Sequence, residues 1–280
     1  MPSTKKFARI QSDFTSKGVR CSGDLYLPGG RYRPPVVVMA HGFAAERTFG
    51  LPAYAECFAE RGLATYLFDY RCFGDSDGEP RYYVDARRHL ADWQAAVAHV
   101  RTLHQVDGSR LALWGTSFSG GHALVTAAND PNVMALVAQA PYVDPLGLWF
   151  WTDLRFVARA LVHGLRDLLR AVTGRPPHYI KVAGRPEEFA LLNTPETWPG
   201  FQTILPEDTA WENRCPARIV LTVPFYRPAS SATRVPCPAL IMYAEHDSIV
   251  SAASVERAAA RIPQAPAAVS YTHLRAHETF

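Results

Sequence analysis

The stretch of the sequence best suited to chemistry is Trp114-Gly115-Thr116-Ser117-Phe118-Ser119-Gly120-Gly121. A serine with small residues two positions before and two after can sit on a sharp strand-to-helix bend, because the backbone closes there only if those neighbours are small. Here the second small position is Ser119 rather than glycine, and the glycines that follow it make the departure tolerable. An apolar strand over 111–114 precedes the serine and a helix over 117–128 follows it. That context separates a displayed hydroxyl from an idle serine in a tight turn. A serine hydroxyl is a poor nucleophile until an imidazole takes its proton, and the imidazole needs a carboxylate to fix its tautomer. The chemistry in view is acyl transfer, which requires the fold to bring one histidine and one acid to Ser117.

The first half of the chain alternates short β-rich runs with helical patterns. Strands are expected at 35–40, 64–68, 111–114 and 133–138, and helices at 51–61, about 84–104 and 117–128. Continuous apolar strands separated by such helices build a parallel sheet covered on both faces. Runs at 7–11 and 24–27 read as an antiparallel hairpin ahead of it. The alternation stops at Pro141 and returns with a strand at 239–243 and a helix at 252–261. Between them, 142–234 is rich in proline and aromatic residues, including Trp149, Phe150, Trp151, Phe201 and Tyr226. Its one clear helix covers about 152–173. Leu154, Leu161, Leu165, Leu168 and Val172 line one side, and Arg155, Arg159, Arg166 and Arg170 another, as on the solvated face of an amphipathic helix. We expect an α/β core made of 1–141 and 235–268, a cap or lid inserted at 142–234, and a non-native tail at 269–280.

Four segments together resemble the α/β-hydrolase superfamily, in particular its dienelactone-hydrolase-like and X-Pro-peptidase-like acyl hydrolases. They are His41-Gly42-Phe43, Asp69-Tyr70-Arg71-Cys72-Phe73-Gly74-Asp75-Ser76-Asp77-Gly78, the serine bend itself, and Cys237-Pro238-Ala239-Leu240 leading to Glu245-His246-Asp247. The resemblance spans 7–261. It implies an α/β-hydrolase fold and a serine hydrolase with Ser117 as nucleophile. It also implies an oxyanion hole from the Phe43 and Phe118 amides, with His41 bracing the loop. Chain order in the superfamily is serine, acid, histidine, which makes Asp247 the acid, with Asp144 as its rival. The histidine should lie in a loop beyond one further strand; a strand at 267–271 is followed by His273, which either replaces the expected base or stands where the family's own histidine has been lost. His277 is less well placed. His89, His99, His104 and His122 read as surface or packing residues, and His246 as an exposed loop residue. The segment 269–280 resembles translated sequencing-adapter read-through, so the chain is expected to be truncated before the family's own histidine loop and last helix.

The rest of the sequence narrows the class. The chain has 280 residues, 48% of them apolar and 20% charged, with a net charge of +3. This is globular composition, and the charge is too small and dispersed to argue for nucleic acid. Five scattered cysteines with no C-x-x-C spacing suggest reduced thiols and a cytoplasmic protein, not a disulfide or zinc framework. No run approaches the ~20 apolar residues of a membrane span. Asp75-Ser76-Asp77-Gly78-Glu79 lacks the spacing of a calcium loop, and no cofactor or metal is expected. The expected partner is a small ester or related acyl substrate. An amidase, peptidase or thioesterase on the same fold, or a non-catalytic binding protein, is the alternative.

Overall fold

The computed structural model describes residues 7–30, 33–145, 153–245 and 247–264, together with the backbone of 267–271. Its centre is an eight-stranded sheet. In chain order its strands are β1 (Phe7–Gln11), β4 (Gly23–Pro28), β5 (Pro35–Ala40), β6 (Ala64–Phe68), β7 (Asp107–Thr116), β8 (Val133–Gln139), β12 (Ala239–Ala244) and β13 (Ala267–Tyr271). Across the sheet the order is β1-β4-β6-β5-β7-β8-β12-β13. The pairings β1–β4 and β4–β6 are antiparallel and the rest are parallel. The expected hairpin of 7–11 with 24–27 is present as the β1–β4 pair. The two strands are not joined directly, however: a small hairpin of β2 (Phe14–Ser16) and β3 (Val19–Cys21) lies between them.

Helices α1 (Leu51–Glu60), α2 (Ala86–Thr102) and α3 (Phe118–Ala128) cover the sheet. Strand periodicity divides the core. Along β5, Val36, Val38 and Ala40 enter the main core with Trp93 of α2 and Leu124 of α3. Met39 faces the other way and packs with Leu51, Ala55 and Ala59 of α1. Burying each such aliphatic chain stabilises the fold by roughly 1.5–3 kcal/mol. The parallel strands end at one edge of the sheet. That edge carries the turns after β5, β7, β8 and β12, which are the segments singled out in the sequence.

Residues 142–234 connect β8 to β12. They contain α4 (Leu154–Val172), a three-stranded sheet of β9 (Tyr179–Ala183), β10 (Ala190–Leu192) and β11 (Cys215–Pro216), and a short helix, α5 (Thr197–Ile204). Three 3-10 segments follow, at Ala217–Leu221, Val223–Phe225 and Pro228–Arg234. The core strand β12 then leads to α6 (Ala252–Ala259). The orientation of α4 departs from the expectation. The face it buries is the narrow line of Ala160, Gly164 and Asp167. A Cβ at Gly164 would meet Val220 and Leu221, and Asp167 accepts hydrogen bonds from Nε and the main-chain N–H of Arg218. The leucine side of the helix is therefore exposed along with its arginines. Trp149, Phe150 and Trp151 lie outside the described residues.

Candidate active site

Ser117 joins the last residue of β7 to the first of α3 with φ +53° and ψ −122°. This left-handed region is costly for a residue with a side chain, about 1–3 kcal/mol. Main-chain bonds hold it there. The Ser117 N–H donates to the Gln139 carbonyl (2.9 Å), while its own carbonyl accepts from the N–H groups of Gly120 (3.0 Å) and Tyr142 (2.9 Å). The surrounding glycines permit the approach. A Cβ at Gly115 would overlap the Ser119 carbonyl, and one at Gly120 would lie 2.9 Å from Pro141. Ser119 itself has room: its hydroxyl is buried and lies 2.8 Å from the Tyr70 hydroxyl, which also accepts from Trp93 Nε1 (2.9 Å). The Ser117 side chain remains half-buried at the mouth of a narrow cleft.

Facing Ser117 is the turn after β5. Gly42 runs close enough that a Cβ there would be 3.2 Å from Ser117 Cβ and 3.7 Å from Oγ. Next in this turn is Phe43, whose ring meets that of Phe118 edge-on at 5.3 Å. The Phe118 N–H belongs to the first turn of α3, where amides lack an intrahelical acceptor and the helix dipole is positive. The turn is anchored beneath by charge. The Arg47 N–H donates to Asp69 Oδ1 (2.7 Å), and its guanidinium bonds Asp69, Asp24 and Asp75. Trp211, from the long connection, donates to the Ala44 carbonyl (2.8 Å). Glu46 sits in this turn with its carboxyl pushed up to about 7 by burial and by the Asp69 charge. His41 is buried beside Tyr70, and burial pushes it down to about 4, leaving a neutral ring that braces the turn.

Asp247 follows β12 at the same sheet edge. Its carboxylate accepts from the N–H groups of Ile249 (2.8 Å) and Val250 (2.9 Å), which fixes its direction. Burial raises its pKa, opposed by these two donors. Asp144, the rival, lies in the turn after β8, near Tyr142. His273 and His277, beyond the end of β13, fall outside the described residues, as does His246. The histidines on the helices are placed plainly. His89 and His122 are fully buried, while His104 is exposed and His99 is half-buried against Ser12. His122 Nδ1 lies 2.7 Å from the Tyr226 hydroxyl, and its Nε2 is 3.3 Å from His89 Nδ1. Burial pushes His122 down to about 3 and His89 well below its usual value, so both are neutral. Among the described residues no group of three or more metal-ligating side chains occurs.

The sequence pointed to a cap at 142–234 with Phe201 among its aromatic residues, but did not single out Leu192 or Ile204. The cleft at Ser117 is lined on the far side by Leu192, Phe201 and Ile204 of the long connection, and it encloses only about 20 Å³, about the space one water molecule needs. A second cavity of about 490 Å³ shares Leu192 with it and runs to Ser248 and Ile249, directly after Asp247. That is the size range of small-molecule sites.

Comparison with known proteins agrees with this architecture. A family model described as serine aminopeptidase, S33 (Hydrolase_4) matches residues 33–280. The quorum-quenching protein AidA of Acinetobacter baumannii is 35% identical over 91% of this chain and 84% of its own length. The thiohydrolase aneE of Aspergillus aculeatus is 36% identical over 46% of this chain and 40% of its own. Among solved structures, the α/β hydrolase GrgF from Penicillium superposes with a TM-score of 0.81 at 25% identity, covering 96% of this chain and 91% of that one. With its mostly parallel sheet, its bend between strand and helix and this family match, the chain belongs to the α/β hydrolases of the serine aminopeptidase S33 (Hydrolase_4) family.

Proposed function

We propose that this α/β hydrolase is a serine esterase that cleaves small carboxylic esters through an acyl-enzyme. The supporting observation is the strained bend at Ser117, half-buried and set against Gly42 and Phe43 at the carboxyl edge of the sheet. Ser117 Oγ attacks the ester carbonyl and its proton passes to the base, His273, which Asp247 orients. The carbonyl oxygen becomes an oxyanion held by the Phe43 and Phe118 amides, each such donor contributing roughly 3–4 kcal/mol. Collapse expels the alcohol, which takes the proton from the base. Water, deprotonated by the same base, then releases the acid and restores Ser117. In this reading 142–234 is the cap, and Leu192, Phe201 and Ile204 narrow the space over the reacting atoms. The five unpaired thiols, four of them buried, are our reason for placing it in the cytoplasm.

Turnover of p-nitrophenyl acetate and butyrate tests the proposal. We expect hydrolysis that falls by at least about 10⁴-fold in Ser117→Ala; unchanged turnover in that variant removes Ser117 from the reaction. Likeness to a thiohydrolase gives a second reading, a thioesterase with the same nucleophile and oxyanion hole. Preference for acyl thioesters over the matched oxygen esters selects it.

A further inference from the structure

The leucine side of α4 is an exposed apolar strip in need of an occupant. Among the described residues nine large hydrophobic side chains are exposed, and seven of them lie on this helix: Leu154, Leu161, Val162, Leu165, Leu168, Leu169 and Val172. Leu154 is 84% exposed and Val172 73%, at opposite ends of the strip. At 3.6 residues per turn the seven occupy about 120° of the helix surface. Arg155, Arg159, Arg166 and Arg170 occupy the adjoining arc of roughly 60°. The arc on the other flank is the one buried against Arg218, Val220 and Leu221. The helix thus has an apolar underside, a cationic outer edge and an inner edge fixed to the protein. None of the four makes an ion pair among the described residues. Arg159 lies over the Phe189 ring, and Arg170 donates to the Pro176 carbonyl. Three acids line the larger cavity with Arg155 and Arg159: Glu188 is paired with Lys181, Asp153 accepts from the Arg155 main-chain N–H, and Glu187 makes no ion pair among the described residues.

We propose that this face of α4 docks on an anionic phospholipid surface. The leucines and valines enter the boundary between headgroups and acyl chains, and the arginine edge lies level with the lipid phosphates. Low overall hydrophobicity, strong segregation of apolar and charged residues, and arginine on the polar side are the features of a helix that lies in an interface. Charge complementarity decides between this occupant and a second copy of the chain. A two-fold pairing that runs two α4 helices antiparallel through their leucine strips puts both arginine rows on the same rim. No row of carboxylates is available there to meet them, whereas an anionic headgroup layer supplies the missing charge all along the edge. The start of α4 also lines the larger cavity beside Asp247, so docking brings that cavity next to a source of apolar substrates. The docking itself does not rest on the catalytic assignment.

Co-sedimentation with vesicles of equal parts phosphatidylglycerol and phosphatidylcholine, against vesicles of phosphatidylcholine alone, tests this. The chain should bind the anionic vesicles at least about tenfold more tightly, and binding should weaken as salt screens the arginines. The double variant Leu165→Asp/Leu169→Asp should lose binding while keeping its circular dichroism and melting temperature, since both side chains face solvent. Arg155→Gln and Arg166→Gln should each weaken binding about fivefold. Absence of binding to the anionic vesicles, or equal binding to both vesicle types, overturns the proposal. So does a dimer in size-exclusion chromatography that Leu165→Asp/Leu169→Asp disperses, because the strip would then belong to a second copy.

Discussion

At the scale of single residues, Ser117 combines a disfavoured backbone with an accessible side chain. The main-chain bonds to Gln139, Gly120 and Tyr142 oppose the conformational cost, and the side chain stays half-buried at the cleft. Gly42 shares this tight space. Gly42→Ala would place a methyl group 3.2 Å from Ser117 Cβ. We predict a fall in ester turnover of about 10- to 100-fold, the scale on which small displacements at a reacting centre act. Circular dichroism should be unchanged; undiminished turnover would show that Gly42 does not border the reacting atoms. Glu46 makes a pH prediction. Its carboxyl titrates at about 7 in the fold against an ordinary value of about 4.3 when unfolded. Between those values the folded chain holds the extra proton, so this group's contribution to stability falls as pH rises. Glu46→Gln should therefore be more stable than the parent at pH 8, by about 1 kcal/mol after allowing for solvent screening, and equal to it near pH 4. Melting temperatures of the two proteins across this range check it. The spacing around Ser117 was legible because a tight bend restricts residue size at fixed positions. The role of Glu46 was not, since its environment comes from Asp69 and Gly74, more than twenty residues away.

Among the elements, the turn after β5 is held by a buried guanidinium and three carboxylates. Asp24 comes from β4, while Asp69 and Asp75 lie beyond β6. Removing the Arg47 guanidinium takes the ionic partner from buried Asp69, while Asp24 keeps Arg9 and Asp75 is exposed; losing one partner of a buried pair costs about 3–5 kcal/mol. Arg47→Met should lower stability by that amount in urea unfolding, and a change below about 1 kcal/mol would show that the network does not brace the turn. The core strands were readable because their β-branched, apolar runs leave little alternative. The sheet of the long connection was not: β10 has three residues and β11 two, too short to show any period. For α4 the sequence separates leucines from arginines but does not say which side the protein covers. That depended on Gly164 and Asp167, whose small size and single charge admit the 3-10 segment Ala217–Leu221.

For the whole molecule, the relation between the sheet and residues 142–234 decides what reaches Ser117. The 20 Å³ cleft over the serine is too small for an acyl chain, and Leu192 separates it from the 490 Å³ cavity beside Asp247. If acyl chains pass this residue, Leu192→Ala should raise kcat/KM for p-nitrophenyl octanoate relative to acetate by about tenfold, roughly the discrimination a few methylene groups confer; an unchanged ratio would place the acyl path elsewhere. No helix among the described residues is long and apolar enough to cross a membrane, so the lipid contact proposed for α4 is a surface one. The sequence marked 142–234 as different in kind from the core. It did not reveal that Tyr226 would reach His122 behind the serine bend, or that Trp211 would reach the Ala44 carbonyl. Both are contacts across more than 100 residues, where no local pattern operates. The most direct test of the account is treatment of the chain with a fluorophosphonate probe, followed by peptide mapping. An activated serine reacts and an idle one does not. The account predicts a single adduct on Ser117, lost in Ser117→Ala; a protein that stays unlabelled, or carries the label on another residue, contradicts it.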